Sequence, residues 1–202
     1  MARAGGAGLS RRTIAGAALA VIDEEGADAL TVRRIADRLG VRAPSLYNHV
    51  PSRDDILDAV TELIIEKIDF TALDSPDPHT GIAALARSYR RAFGAHPNAV
   101  GLIGGRSVRT TMALSHYDGM VAALLRAGRP ADDAMRILLA IDYLALGAAL
   151  APFAAGFGHL TGTTGGEDDH PHLSAALAAV DPATVDDQAF ERVLAAFLDT
   201  MT

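Results

Sequence analysis

Residues 30–57, LTVRRIADRLGVRAPSLYNHVPSRDDIL, leave this chain few folds to choose from. Thr31 can cap a helix by accepting a backbone N–H bond. Val32, Ile35, Ala36 and Leu39 follow at helical spacing and make one apolar stripe. Gly40 falls just past Leu39, where a left-handed residue stops a helix at little cost. Val41 packs the corner, and Pro44 lies in the first turn of the next helix, where a missing N–H matters least. That helix runs to about His49, before Pro51 and Ser52 end it and cap another. Helix, glycine-containing turn, helix is the arrangement that places a second helix in the major groove of DNA.

Charge separates a groove-reading motif from an ordinary helical hairpin. Residues 1–53 hold eight arginines against five acids (Asp23, Glu24, Glu25, Asp28, Asp37), a net of +3. The whole chain is −7, so residues 54–202 carry −10. Basic residues gathered beside the motif of an acidic protein make one surface suited to phosphates and a remainder that repels them.

The stretch LTVRRIADRLGV, then P-S-L-Y-x-H-V, then a polar link into a further helix resembles the DNA-binding domain of TetR-type transcriptional repressors. The likeness covers residues 10–68 and is tightest from Leu30 to Val60. Further on, ALARSYRRAFGAHP, LLRAGRPADDAMRILLAIDYLALGAAL, PHLSAALAAVD and FERVLAAFLDTM are more loosely similar to the ligand-binding domain of the tetracycline-repressor branch. The resemblance implies an all-α chain of about ten helices. A helix-turn-helix DNA-binding domain of three helices would occupy residues 8–68, with its motif at 31–50. A helical effector-binding and dimerisation domain would occupy residues 76–202.

Matched position by position, the resemblance implies DNA contacts from Thr31, Arg33, Arg42, Ala43, Pro44, Ser45, Tyr47, Asn48, His49 and Arg53. Thr31, at a helix start, would face a phosphate. Arg33 matches a base-reading arginine, and residues 42–45 open the recognition helix, the end that enters the groove. Tetracycline repressors carry Gln where this chain has Ala43 and Trp where it has Asn48. Loss of the amide that can hold adenine implies a different operator base there. Tyr47 and His49 suit phosphates, and Arg53 stands where the family has a phosphate-clamping Lys. The duller readings are that Ser45 only caps, Tyr47 only packs, and Arg34 and Arg38 are solvated charges.

Behind the motif, helical periodicity continues with no strand. Helices are expected over about Ser10–Glu24, Ser52–Asp69, Thr80–Gly94, a short piece after Pro97, Ser107–Ala127, from Pro130 onward, His172–Val180 and Asp186–Met201. Ile137–Phe157 is long enough to cross a membrane, but Asp142 and Pro152 lie inside it and a central Asp costs about 2.5–3.5 kcal/mol there. A buried helix is the better reading, and no membrane partner is expected. A homodimer is expected through the helix that starts at Pro130 (Ala140, Leu144, Gly147, Ala148, Ala151) and the last helix (Phe190, Val193, Leu194, Phe197, Leu198). Twofold symmetry would then read a palindromic operator in double-stranded DNA.

A small-molecule effector should bind in the body. Its candidate contacts are Tyr89, Phe93, Ile103, Leu114, Tyr117, Met120, Tyr143, Leu146 and Phe153, with His116 as a polar anchor and Arg106 as a counter-charge. Each is also an ordinary core candidate. In an ungapped comparison, Ile103 stands where tetracycline repressors have a magnesium-binding His, and Asp69, Leu85, Arg106 and Met120 replace their other polar drug contacts. A hard cation needs oxygen or imidazole ligands. Magnesium–tetracycline is therefore not expected, and a largely apolar or aromatic effector, neutral or anionic, is.

Other chemistry is thinly represented. There is no cysteine, so no disulfide or thiolate metal site. Residues 1–9 lack the apolar run of a signal peptide and read as a disordered, weakly basic arm, in keeping with a cytoplasmic protein. Glu167, Asp168, Asp169, His170 and His172 read as a solvated loop, and no metal or cofactor is expected. GLIGGRS (101–107) has neither a preceding strand nor a lysine for phosphate, and no catalytic arrangement is visible. The leading expectation is a ligand-responsive repressor. The alternatives are a DNA-binding regulator without a small effector, and a carrier or enzyme with a vestigial head.

Overall fold

The computed structural model describes residues 8–150, 157 and 170–201. Among these it holds ten α-helices and no strand. The head consists of α1 (Arg11–Glu25), α2 (Val32–Leu39), α3 (Ala43–Leu46) and α4 (Arg53–Ile65). The body consists of α5 (Pro78–Gly94), α6 (Pro97–Ile103), α7 (Thr111–Arg126), α8 (Ala131–Leu150), α9 (Pro171–Ala179) and α10 (Val185–Asp199). Residues 1–7 of the expected arm, Ala151, Phe153, and Glu167 to Asp169 lie outside the described residues.

Capping chemistry sets the helix starts. Ser10 accepts from the Thr13 N–H while the Thr13 hydroxyl accepts from the Ser10 N–H, a reciprocal box that opens α1. Thr31 accepts from the Arg34 N–H and Ser52 from the Asp55 N–H, as their positions in the sequence suggest. Gly40 closes α2 at φ 67°, the left-handed region where a side chain would add strain. The chain then reverses into α3 within three residues. Pro44 sits in the first turn of α3, and Leu46 ends it fully buried.

Several boundaries differ from the expected ones. The third helix stops at Leu46, and Tyr47–His49 form a turn in which the His49 and Val50 N–H groups both donate to the Leu46 carbonyl. α4 ends at Ile65, four residues early, because Asp69 caps a short 3-10 turn at Phe70–Asp74 instead of continuing the helix. α5 begins two residues early, where Asp77 accepts from the His79 and Thr80 N–H groups. α7 begins at Thr111, capped by Thr110, which leaves residues 104–110 as a loop.

One apolar core runs through head and body. Ile14, Ala18 and Ile22 of α1 pack with Ile35, Leu46, Val60 and Ile64, and the same cluster continues through Ile82, Leu85, Val100, Ile141 and Leu194. Polar links reinforce the junction. Asn98 donates to the Ile22 carbonyl at 3.2 Å, and His96 meets Asp23 at 2.8 Å. The Asp69 N–H donates to the buried Ser88 hydroxyl at 2.8 Å. Beside it, α5 passes so close to the 70–74 turn that a methyl group on Gly81 would sit 2.6 Å from the Ala72 carbonyl oxygen.

The last helix corrects part of the expected subunit contact. Phe190 and Leu194 are buried within their own protomer, against α5 and α8, and the Arg90 guanidinium lies 4.7 Å over the Phe190 ring. Val193 remains exposed, with Phe197 and Leu198 half-buried. Leu46→Ala should cost the head about 2–5 kcal/mol, because the corner cannot collapse onto the space left. Chemical denaturation followed by circular dichroism would read that loss as a lower midpoint.

Candidate DNA interface and effector cavity

The head sorts its arginines by whether they already have partners. Arg34 pairs with Glu25 at 2.9 Å, and both guanidinium nitrogens of Arg38 reach Glu24. Those two arginines therefore tie α2 to the end of α1 and have little charge to offer a phosphate. Arg33 lies 3.9 Å from Asp37 and is almost fully exposed, a loose contact worth little in water. Arg42, Tyr47, Asn48, His49 and Arg53 are exposed, and among the described residues their side chains make no hydrogen bond or ion pair. Tyr47 shows 51% of its surface, so it does not serve as core. Thr31 and Pro44 are exposed, while Ala43 and Ser45 are half-buried at the start of α3. Beneath this row Leu46 and Val50 are buried and fix its base.

Behind the head, α4, α5, the end of α6, α7 and α8 enclose a cavity of about 300 Å³. Tyr89, Phe93, Ile103, Arg106, Tyr117, Tyr143 and Leu146 all line it. His116 and Met120 line a narrow crevice that adjoins it at Tyr89 and Tyr117. Leu114, by contrast, points away and is 53% exposed. α4 contributes Asp58, Thr61 and Ile65 to the wall, residues that periodicity alone assigned to no site. A larger groove of about 560 Å³ lies between α5 and α10, but two of its three arginines are engaged: Arg87 with Glu191 and Arg90 with Asp187.

Arg106 lines the cavity and pairs with two acids through its terminal nitrogens, while its Nε is buried with no partner among the described residues. Its Nη1 donates to Asp54 at 2.7 Å and its Nη2 to Asp58 at 3.1 Å. The hydrogen bond from Arg106 holds the Asp54 carboxyl below the usual carboxylate range. Arg109 adds longer contacts of 3.5 and 3.9 Å to the same two acids. The 104–110 loop thus grips the first half of α4. His116 stacks on Phe70 with ring centroids 4.0 Å apart, its Nδ1 buried without a partner, and burial pushes its pKa down so the ring favours the neutral form.

Asp142 is the polar residue that sequence reading used only as an argument against a membrane span. It is 8% exposed on α8, and Tyr117 donates to its Oδ2 at 2.9 Å. Its Oδ1 is buried with no partner among the described residues. Burial raises the Asp142 pKa, partly offset by the Tyr117 and Tyr89 hydroxyls. Burial likewise pushes Tyr117 up to about 12 and Tyr89 well above its ordinary value. The only signal in sequence was an acid inside an otherwise apolar helix.

These side chains do not suit a resident divalent cation. Ile103 offers no ligand atom, Asp58 is held by arginines, and among the described residues no group of three His, Asp or Glu could hold a metal. No helix of the described residues is long and apolar enough to cross a membrane.

A raised Asp142 pKa has a defined effect on stability. Between the ordinary value of 3.8 and the raised one, the native state holds more protons than the unfolded chain. Stability from this group is therefore lost as pH rises through that window. Asp142→Asn should be more stable than the parent at neutral pH, with the difference shrinking as pH falls towards 4. Thermal melts across a pH series would show it, and a parallel offset at every pH would contradict it.

Comparison with known proteins agrees with this architecture. Residues 14–60 match the family described as bacterial regulatory proteins, tetR family, and residues 76–202 match the tetracyclin repressor-like C-terminal domain. The chain is 32% identical over 195 residues to the class A tetracycline repressor from transposon 1721 of Escherichia coli, covering 95% of this chain and 89% of that one. A possible TetR family regulator from Streptomyces coelicolor A3(2) superposes with a TM-score of 0.78 at 27% identity, over 95% of this chain and 98% of that one. ActR of Streptomyces coelicolor, in its complex with actinorhodin, gives 0.68 at 25% identity, over 96% of each. With a helix-turn-helix head and a matching helical body, this chain belongs to the TetR family of bacterial regulatory proteins.

Proposed function

We propose that the protein is a transcriptional repressor that binds a palindromic operator as a homodimer and is released when a small, largely apolar effector fills the α4–α8 cavity. The observation that carries this reading is the partner-free row around α3. Exposed donors with no internal partner are what a phosphate- and base-contacting surface needs. Arg42 and Arg33 can hold guanine edges, while Thr31, Tyr47, His49 and Arg53 can donate to or neutralise phosphates. Residues 8–68 would form the DNA-binding unit and residues 76–202 the unit for effector and dimer, working in the cytoplasm with no catalytic role.

Dimerisation through α8 and α10 is supported by apolar surface that one protomer leaves uncovered. Met135 and Leu150 on α8 and Val193 on α10 are exposed outside the cavity, and α9 buries none of its side chains. Two similar proteins form complexes with small molecules: ActR with actinorhodin, and the class A TetR with 5a,6-anhydrotetracycline and magnesium. Here the cavity wall is mostly apolar or aromatic, and among the described residues no group of three metal-ligating side chains comes together, which supports an effector of another kind.

Selection of bound sequences from random duplex DNA should return a palindrome, and failure to enrich any sequence at low salt would refute the reading. Tyr47→Ala should weaken operator binding about 5- to 30-fold, from about 1 kcal/mol of hydrogen bonding per head, without changing the sedimentation coefficient. If each head neutralises about four phosphates, affinity should fall with salt at a log–log slope of about −7. A slope near zero in filter binding would rule out the phosphate contacts.

A further inference from the structure

We propose that the cavity is built for a ligand carrying a protonated amine on an apolar body, with Asp142 as the group that receives the ammonium. This rests on the reading of the cavity as the effector site. The Asp142 side chain is more than nine-tenths buried, faces the cavity, and keeps one carboxylate oxygen without a partner among the described residues. Tyr117 holds the other oxygen at 2.9 Å, so the carboxylate is oriented and Oδ1 is the oxygen left for an incoming donor.

The charge arrangement favours a cation over a neutral donor. The cavity's two basic side chains, Arg106 and Arg109, are held at its other end by Asp54 and Asp58. Neither pairs with Asp142, whose partners among the described residues are tyrosine hydroxyls. A buried acid with no cation of its own is costly to ionise, and a ligand ammonium removes that cost while making a charge-assisted hydrogen bond. An anionic ligand would meet the Asp142 carboxylate and could draw only on the unpartnered Nε of Arg106 and on the looser Arg109, whose charges Asp54 and Asp58 already offset. Phe93, Ile103, Leu139 and Leu146 supply the apolar wall for the rest of the molecule. A volume of about 300 Å³ admits one aromatic ring and a short aliphatic chain, not a large polycycle.

Three probes with the same body separate the possibilities: phenylbutylamine, phenylbutanol and phenylbutyrate, each titrated calorimetrically into the full-length protein. The amine should bind at least about tenfold more tightly than the alcohol, the least expected of one charge-assisted hydrogen bond, and the carboxylate more weakly still. Asp142→Asn should erase the amine's advantage, while Tyr117→Phe should keep a preference for it. Equal or tighter binding of the carboxylate, an amine preference that survives Asp142→Asn, or no binding of the amine would each overturn the proposal. Release of operator DNA, followed in parallel by gel shift, keeps the two readings apart. Amine binding through Asp142 without release would refute the effector role and leave the amine site standing. Release by the alcohol or carboxylate alone would refute the amine site and leave the effector role standing.

Discussion

Helix α4 is shared by the two halves of the protein, and the rest of the architecture follows from how it is held. Ile56, Leu57, Val60 and Ile64 bury it in the common core, packed with α1. Asp54 and Asp58 face the body and accept from the two terminal nitrogens of Arg106. Thr61 and Ile65 form part of the cavity wall. One helix of 13 residues, about 20 Å long, thus carries the first residue beside the DNA-facing row, the seam with the body and one side of the pocket. Apolar burial sets its position, because exposed ion pairs alone hold little.

The polar groups divide between those that fasten the fold and those left available. Arg34, Arg38 and Arg106 are spent on acids of neighbouring helices. Arg42 and Arg53 make no ion pair among the described residues, in line with their positions at the start of α3 and of α4. The positive potential of the head is therefore concentrated around α3 instead of being spread over all its arginines. The body shows the same division, with Asp58 neutralised by arginines and Asp142 left with tyrosines alone.

The head was legible residue by residue because its signals are local. A capping Thr31, the apolar spacing of α2 and a left-handed Gly40 need no distant partner to act. The turn at Tyr47–His49 and the early end of α4 were not legible, since each depends on which competing cap wins. In the body, Tyr89, Phe93, Ile103 and Tyr117 could be named as cavity candidates from their types alone. Leu114 could not be told from them, because outward and inward positions on α7 look alike in an apolar helix. The pairing of Arg106 with acids about 50 positions away is a tertiary fact with no local trace.

The close approach of Gly81 to Ala72, with the Asp69–Ser88 hydrogen bond beside it, pins the trailing end of α4 to α5. The 104–110 loop holds the helix at the opposite end, at Asp54, one residue from Arg53. The helix is thus held at both ends, and a shift of the loop that tilted it about its rear end, as on a hinge, would move the reading head with it. A swing of about 10° around the rear hinge would carry the tip roughly 3–4 Å, close to the spacing of one base pair.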